Sequence, residues 1–495
     1  MYQRYQEITQ KAADLNNAAA VLGWDQETYM PKKGFEARGR QLATLSGQAH
    51  ALLTSDEYGR LLHELNAAKN LSDDEAANVR LSLEDYEKAS RLPESFVEEL
   101  AAASSKALDA WINARKQNDY TVFAPQLEYM IGLKKKQADL YGYKDHPYDA
   151  LLDDYEKGAS VQLLDGIFSQ LRLELPSLLD SIKSAKQVDD SFFLQHFSKD
   201  AQWNFSLDVL KSMGYDFDAG RQDYSEHPFT TSFSSNDVRI TTRISEDNLA
   251  SLLWSSIHEG GHALYEQGLP ESQYGMPLGA AASLSIHESQ SRLWENCVGR
   301  GLNFWEYFYP KLQALFPAQL NDVSLQQFYA GMNKVEPSLI RTEADELTYH
   351  FHVMIRYEIE KGLLDNSIAI KDLPEVWRSQ YQKYLGLTPP DDVQGILQDV
   401  HWSHGSFGYF PTYSLGSFYA ARFWERAKKD MPGLTTEIKS GNMDLLLKWL
   451  RTNVHQYGRR YRSEELCQKL TGRGLDIDSF MAYSREKYSA IYKLL

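Results

Sequence analysis

Residues 258–262 read His-Glu-Gly-Gly-His, inside the run SEDNLASLLWSSIHEGGHALYEQG. Apolar periodicity makes this run a helix, and residues four apart on a helix share a face. His258 and His262 can therefore hold one Zn²⁺ between them. Glu259, beside the first ligand, is placed to take a proton from a water at the metal as a general base. With 13 histidines in 495 residues, such a pattern arises by chance in about one chain in fifty. Adjacent glycines inside a helix cost about 1 kcal/mol each relative to alanine, so Gly260 and Gly261 predict a close approach to that backbone.

A catalytic zinc takes three protein ligands and leaves a fourth position for water. The sixth residue after His262 is Gly268, so no third histidine follows at that distance. A glutamate on a later helix is the other solution, and AASLSIHESQSRLWENCVGRG supplies Glu288, with Glu295 as its rival. His287 points about 100° away from Glu288 around that helix, which suits a supporting role. In many such sites a carboxylate four residues after the ligand glutamate orients a metal-bound histidine. That position is Arg292, so the orienting group must come from elsewhere, with Asp345 as a candidate.

The elements that must carry these residues are mostly helices. Apolar spacing marks them around 5–22, 36–52, 75–90, 95–116, 246–267, 282–299, 343–362 and 419–429, and through Leu164, Ile167, Leu171 and Leu175. Over 95–116 the spacing puts Val97, Leu100, Ser104, Leu108 and Trp111 on one face, with Pro93 near the start. The clearest strand signal is HPFTTSFSSNDVRITTRI at 227–244, two β-prone runs around Ser-Ser-Asn-Asp, which reads as a hairpin. Without repeats or Pro/Gly/Ser linkers, the 495 residues predict a single, mainly helical domain over 1–495, with room for two lobes around a cleft.

The composition, 43% hydrophobic and 24% charged, is that of an ordinary globular chain. A net charge of −16 without a basic cluster argues against nucleic acid and anionic membrane as partners. Cys297 and Cys467 are the only cysteines, too few for a disulfide framework or a cysteine zinc site. The polar start MYQRYQEITQKAADL does not read as a signal peptide, and no apolar run of about 18 residues is present, so the expected location is cytoplasmic.

The motifs together resemble the carboxypeptidase Taq family of metallocarboxypeptidases over essentially the whole chain. In order they are His227-Pro228-Phe229, Asp237-Val238-Arg239-Ile240-Thr241, the zinc helix, His287-Glu288-Ser289-Gln290, Ile340-Arg341-Thr342-Glu343-Ala344-Asp345, and Gly395-Ile396-Leu397-Gln398-Asp399-Val400-His401-Trp402. The resemblance implies a helical fold with a deep substrate groove, a homodimer, and metal-dependent release of C-terminal residues with broad specificity and poor handling of proline.

An enzyme acting at a free C-terminus needs a cation for the terminal carboxylate, and the planar fork of arginine suits it. Arg341 is the candidate on the family pattern; the alternative is an ion pair with Asp345, four residues on in a helical stretch. Asp237 and Arg239 could present substrate to a strand edge beside the zinc helix, or be ordinary strand charges. His227 could close a subsite, or only shape the start of the strand. Hydrolysis builds negative charge on the carbonyl oxygen, which a donor among His401, His404, Tyr409 and Tyr413 could stabilise; packing is the alternative for each. His350 and His352 point to different faces and read as structural. The expectation is a peptidase acting on peptides with a free C-terminus, holding one divalent metal per chain, Zn²⁺ with Co²⁺ as the alternative. Its rivals are a zinc oligopeptidase or aminopeptidase, and a non-catalytic peptide-binding scaffold, which would not need Glu259.

Overall fold

The computed structural model describes residues 1–494. Helices dominate, and the described residues contain one three-stranded sheet. They fall into two compact units, each assembled from three stretches of chain. One unit comprises Met1–Ala89, Val188–Met332 and Tyr419–Leu475; the other comprises Ser90–Gln187, Asn333–Phe418 and the chain from Asp476 onward. No helix among the described residues is long and apolar enough to cross a membrane.

The first unit holds the sheet, made of β1 (Gly220–Tyr224), β2 (Thr230–Ser234) and β3 (Asp237–Thr242). β2 and β3 form the expected antiparallel hairpin, with an irregularity between Ser232 and Ser234. β1 was not legible in the sequence; it pairs parallel to β3, with Arg221 opposite Arg239, and makes β3 the central strand. Val238 and Ile240 of β3 are fully buried. The sheet is tied to the helix Leu249–Glu266 by polar contacts, Thr242 Oγ1 to Ser255 Oγ at 2.8 Å and Thr230 to Glu259.

In the second unit the helix Glu94–Gln117 forms as its spacing predicts but turns a different face inward. Phe96, Ala103, Ala107 and Ala114 are buried, whereas Val97 is exposed and Leu100, Ser104, Leu108 and Trp111 are only half-buried. Small alanines allow close helix contact, so bulk alone misplaced the stripe. The helix Val161–Ser184 buries Leu164, Ile167, Leu171 and Leu175 as expected. The helix expected at 343–362 starts later, at Tyr349, after a 3₁₀ turn over Arg341–Glu343. The one expected at 419–429 starts earlier, at Pro411, where a proline at the first turn costs no hydrogen bond.

Candidate functional site

The helix Leu249–Glu266 is capped by Asn248, whose side chain accepts the Ala250 N–H at 2.9 Å. It buries Leu249, Leu252, Leu253, Ile257 and Leu264. A second helix, Leu284–Arg292, is capped by Ser283 and runs on into a π-helical turn over Leu293–Gly299. The two meet at Gly261, where a Cβ would stand 2.6 Å from the Ser291 Cα and 2.9 Å from the Gln290 carbonyl oxygen. Glycine at this point lets one backbone approach the other and brings Glu288 to the histidines.

Glu288 Oε2 lies 3.6 Å from His262 Nε2 and 3.9 Å from His258 Nε2. One donor atom from each of the three lies within 4.8 Å of the others. Two ligands about 2.1 Å from one tetrahedral ion stand roughly 3.4 Å apart, so this nearly preformed nitrogen–oxygen set fits a divalent metal. Arg292 and Arg300 pair with Glu288 and Glu295, two guanidiniums for two carboxylates, and Glu259 is a third carboxylate outside these pairs.

Each of these three side chains is held from behind. His258 Nδ1 donates to Glu295 Oε2 at 2.9 Å, which leaves Nε2 with the lone pair. Burial would raise the Glu295 carboxyl, but His258, Arg300 and Arg292 outweigh it and hold the group well below the usual range. Arg292 Nε donates to Glu288 Oε1 at 2.7 Å, so this arginine fixes the glutamate that the histidines face. Burial, with the nearby His287 and His258, pushes His262 well below its ordinary pKa and keeps it neutral. His287 stacks on His262 with ring centroids 4.4 Å apart and pairs through Nε2 with Glu266 at 2.8 Å. Glu259 is buried; Thr230 Oγ1 donates to its Oε2 at 2.6 Å. Burial raises its carboxyl above the ordinary value, with His258 and Thr230 opposing.

One sequence expectation, and the alternative weighed for Arg341, are corrected. The orienting carboxylate is Glu295, seven residues after Glu288, not Asp345. Asp345 accepts the N–H groups of Leu347 and Thr348 at 2.9 and 3.0 Å and caps its own turn. Nor does Arg341 pair with Asp345: the chain is not helical there, and Arg341 Nε donates to Asp399 Oδ1 at 3.0 Å and Nη1 to Tyr349 Oη at 2.9 Å.

In the same unit as Arg341, His401 and His404 bound a 3₁₀ turn, and Tyr413 sits in the first turn of the helix Pro411–Asp430. His401 Nε2 lies 3.3 Å from Tyr413 Oη, and burial pushes the imidazole down to about 4. Tyr409 packs edge-on against Tyr155 at 5.2 Å, and His404 is exposed. The Arg341 guanidinium stands 4.9 Å from the Tyr413 ring. His350 and His352 are buried, bonded to Ser414 and Tyr381, as structural residues would be.

In the sheet, Arg239 makes a two-pronged pair with Asp237 at 2.8 Å and stacks over Trp24 at 4.5 Å. His227 is exposed, and its carbonyl accepts from Ser225 Oγ at 2.6 Å. Thr230, Arg356 and the partnership of Asp399 with Arg341 were missed from sequence. Arg356 did leave a signal, being a charged residue amid the apolar helix run YHFHVMIRYEIEKGLL.

Residues 4–488 match the model of the family described as carboxypeptidase Taq (M32) metallopeptidase. Thermostable carboxypeptidase 1 of Thermus thermophilus is 42% identical, covering 99% of both chains. A solved structure named CHT is 58% identical with a TM-score of 0.97, covering 98% of this chain and 99% of that one. The crystal structure of an M32 carboxypeptidase from Deinococcus radiodurans is 38% identical, with a TM-score of 0.97 and 99% of each chain covered.

Proposed function

As a member of the carboxypeptidase Taq (M32) metallopeptidase family, this chain is a metal-dependent carboxypeptidase, and we propose that it releases single C-terminal residues with Glu259 as general base. His258, His262 and Glu288 are the residues that would hold the metal, Zn²⁺ with Co²⁺ as the alternative. When bound, the metal supplies a Lewis acid that lowers the pKa of a water to about 7 and polarises the scissile carbonyl. The observation that carries this reading is the convergence of His258 Nε2, His262 Nε2 and Glu288 Oε2 beside a buried Glu259.

Glu259 accepts the proton of the attacking water and passes it to the leaving amine nitrogen. Its raised pKa makes it a stronger base than an ordinary carboxylate, which suits the first half of that task. Thr230 holds Oε2 by its hydroxyl and so limits the rotation of the carboxylate. Glu295 and Arg292 hold His258 and Glu288 in orientation from the outer side. Arg341 receives the terminal carboxylate of the peptide, and His401 with Tyr409 and Tyr413 supplies donors and ring surface beside it. Asp237, Arg239, His227 and His404 contribute to substrate contacts. Broad specificity, poor handling of proline and a homodimer belong to the same proposal and rest on the family resemblance.

The test uses one unstructured peptide with a free and with an amidated C-terminus, before and after chelation and return of Zn²⁺ or Co²⁺. Stepwise loss of residues from the free acid alone, abolished by the chelator and restored by metal, is the expected result. Equal cleavage of both peptides would overturn the C-terminal reading and favour an oligopeptidase.

A further inference from the structure

We propose that Arg356 is a positioning residue for terminal-carboxylate binding, leaving the Arg341 pocket one negative charge short through its shared hold on Asp399. The inference rests on the reading of Arg341 given above and extends it to a residue that cannot touch the substrate.

Arg341 and Arg356 are both buried, at 6% and 0% exposure, and meet at one carboxylate. Arg341 takes Oδ1 of Asp399, with Nε at 3.0 Å and Nη2 at 2.9 Å. Arg356 takes Oδ2, with Nε at 2.7 Å and Nη2 at 2.6 Å. A guanidinium carries five N–H donors. Arg356 uses all of its own: besides Asp399, Nη1 donates to the His352 carbonyl at 2.9 Å and to Tyr381 Oη at 3.2 Å, and Nη2 donates to Gln398 Oε1 at 2.8 Å. Arg341 uses three, on Asp399 and Tyr349. Its remaining two, one on each terminal nitrogen, have no partner among the described residues. Two unused donors on the two terminal nitrogens are what a second carboxylate needs in order to bridge them.

The charges lead to the same place. Two guanidiniums face one carboxylate, and the neighbouring imidazoles do not alter the sum. Burial pushes His401 down to about 4 and His352 well below its ordinary value, so both are neutral at pH 7. Burial would raise Asp399, but the two arginines hold it far below the usual carboxylate range, so it stays ionised. The cluster carries one surplus positive charge away from bulk water, where such a charge is costly without a partner. With Arg356 absent, Asp399 would neutralise Arg341 alone and no surplus would attract the ligand.

Arg356→Met removes the charge while keeping much of the side-chain length, and Arg356→Lys returns the charge without the fork. For a free-acid peptide, Arg356→Met is expected to raise KM tenfold or more with kcat changed less than threefold and metal content unchanged, and Arg356→Lys to recover part of that KM. A purely structural role would lower the active fraction, and so kcat, in both variants while leaving KM alone. Gln398→Glu supplies a second route, because it keeps both arginines and cancels the surplus charge; it is expected to raise KM in the same way. An unchanged KM in folded Arg356→Met or Gln398→Glu would overturn the inference. Equal cleavage of free-acid and amidated peptide by the wild type would overturn the reading of Arg341 beneath it, which separates the two failures.

Discussion

The metal centre and the Arg341 cluster are built on one plan with opposite signs. In the first, Glu295 is shared among His258, Arg292 and Arg300, Arg292 also holds Glu288, and Glu259 stands beside them as a third carboxylate bonded to Thr230 and to neither arginine. In the second, Asp399 is shared between Arg341 and Arg356, and the guanidiniums outnumber the carboxylate. Each is buried, and each has one residue whose polar groups are spent on orientation while a neighbour keeps a face open. A buried cluster that is one charge out of balance is costly by itself and is completed by a ligand of the missing sign. On the reading proposed above, the sign of the imbalance names the ligand: a divalent cation for one, a carboxylate for the other.

The comparison breaks most decisively at Glu259. Glu259→Gln keeps the shape and the three donor atoms but cannot accept a proton, so kcat should fall by about 10² to 10⁴ with the metal retained. Normal turnover at full metal occupancy would take the general-base role away from Glu259. Next come the two glutamates. Glu288→Ala should strip the metal, whereas Glu295→Gln should weaken it by about 10- to 100-fold, because it only orients His258. Metal content after dialysis against graded chelator reads this directly, and the reverse order would mean that Glu295 is the ligand.

Glu288 and Glu295 also mark how far the sequence could be read. The motif helix is legible because its spacing and its paired glycines agree, and Gly261 does meet the backbone of the Glu288 helix. Both glutamates lie on the same face two turns apart, so spacing alone could not say which reaches Nε2 and which Nδ1. That choice depends on how the imidazoles are turned and on the π-helical turn that carries Glu295. β1 was invisible for a different reason. Gly-Arg-Gln-Asp-Tyr has no β-branched residue and becomes a strand only by pairing along β3. The partner of Arg341 was hidden in the same manner: Asp399 lies 58 residues away in sequence, while the four-residue spacing to Asp345 has no helix beneath it.

The smallest effect tests the converse of the comparison, that a buried charge whose partners suffice should register in stability and not in substrate binding. Glu360 lies one turn from Arg356 on the helix Tyr349–Leu364 and is fully buried. It accepts the Trp402 indole N–H at 2.8 Å, the Gly408 N–H at 2.9 Å and the Tyr148 hydroxyl. Burial nevertheless pushes its carboxyl up to about 7, with these three donors and Lys134 opposing. In an unfolded chain a glutamate titrates near 4.3, so between the two values the folded protein holds a proton that the unfolded one has lost. The stability linked to this group is therefore fully present below about pH 4, is lost as pH rises through about 7, and amounts to roughly 3 to 4 kcal/mol. Glu360→Gln cannot titrate. Its stability relative to the wild type should rise by about that amount between pH 4 and pH 8 in denaturant unfolding, whatever constant offset the changed hydrogen bonds add. KM for the free-acid peptide should stay within about threefold, because Glu360 does not touch Asp399's two arginines. A stability difference that is flat with pH would show that Glu360 is ionised throughout, and a KM shift as large as that of Arg356→Met would dissolve the distinction between balanced and unbalanced buried charge.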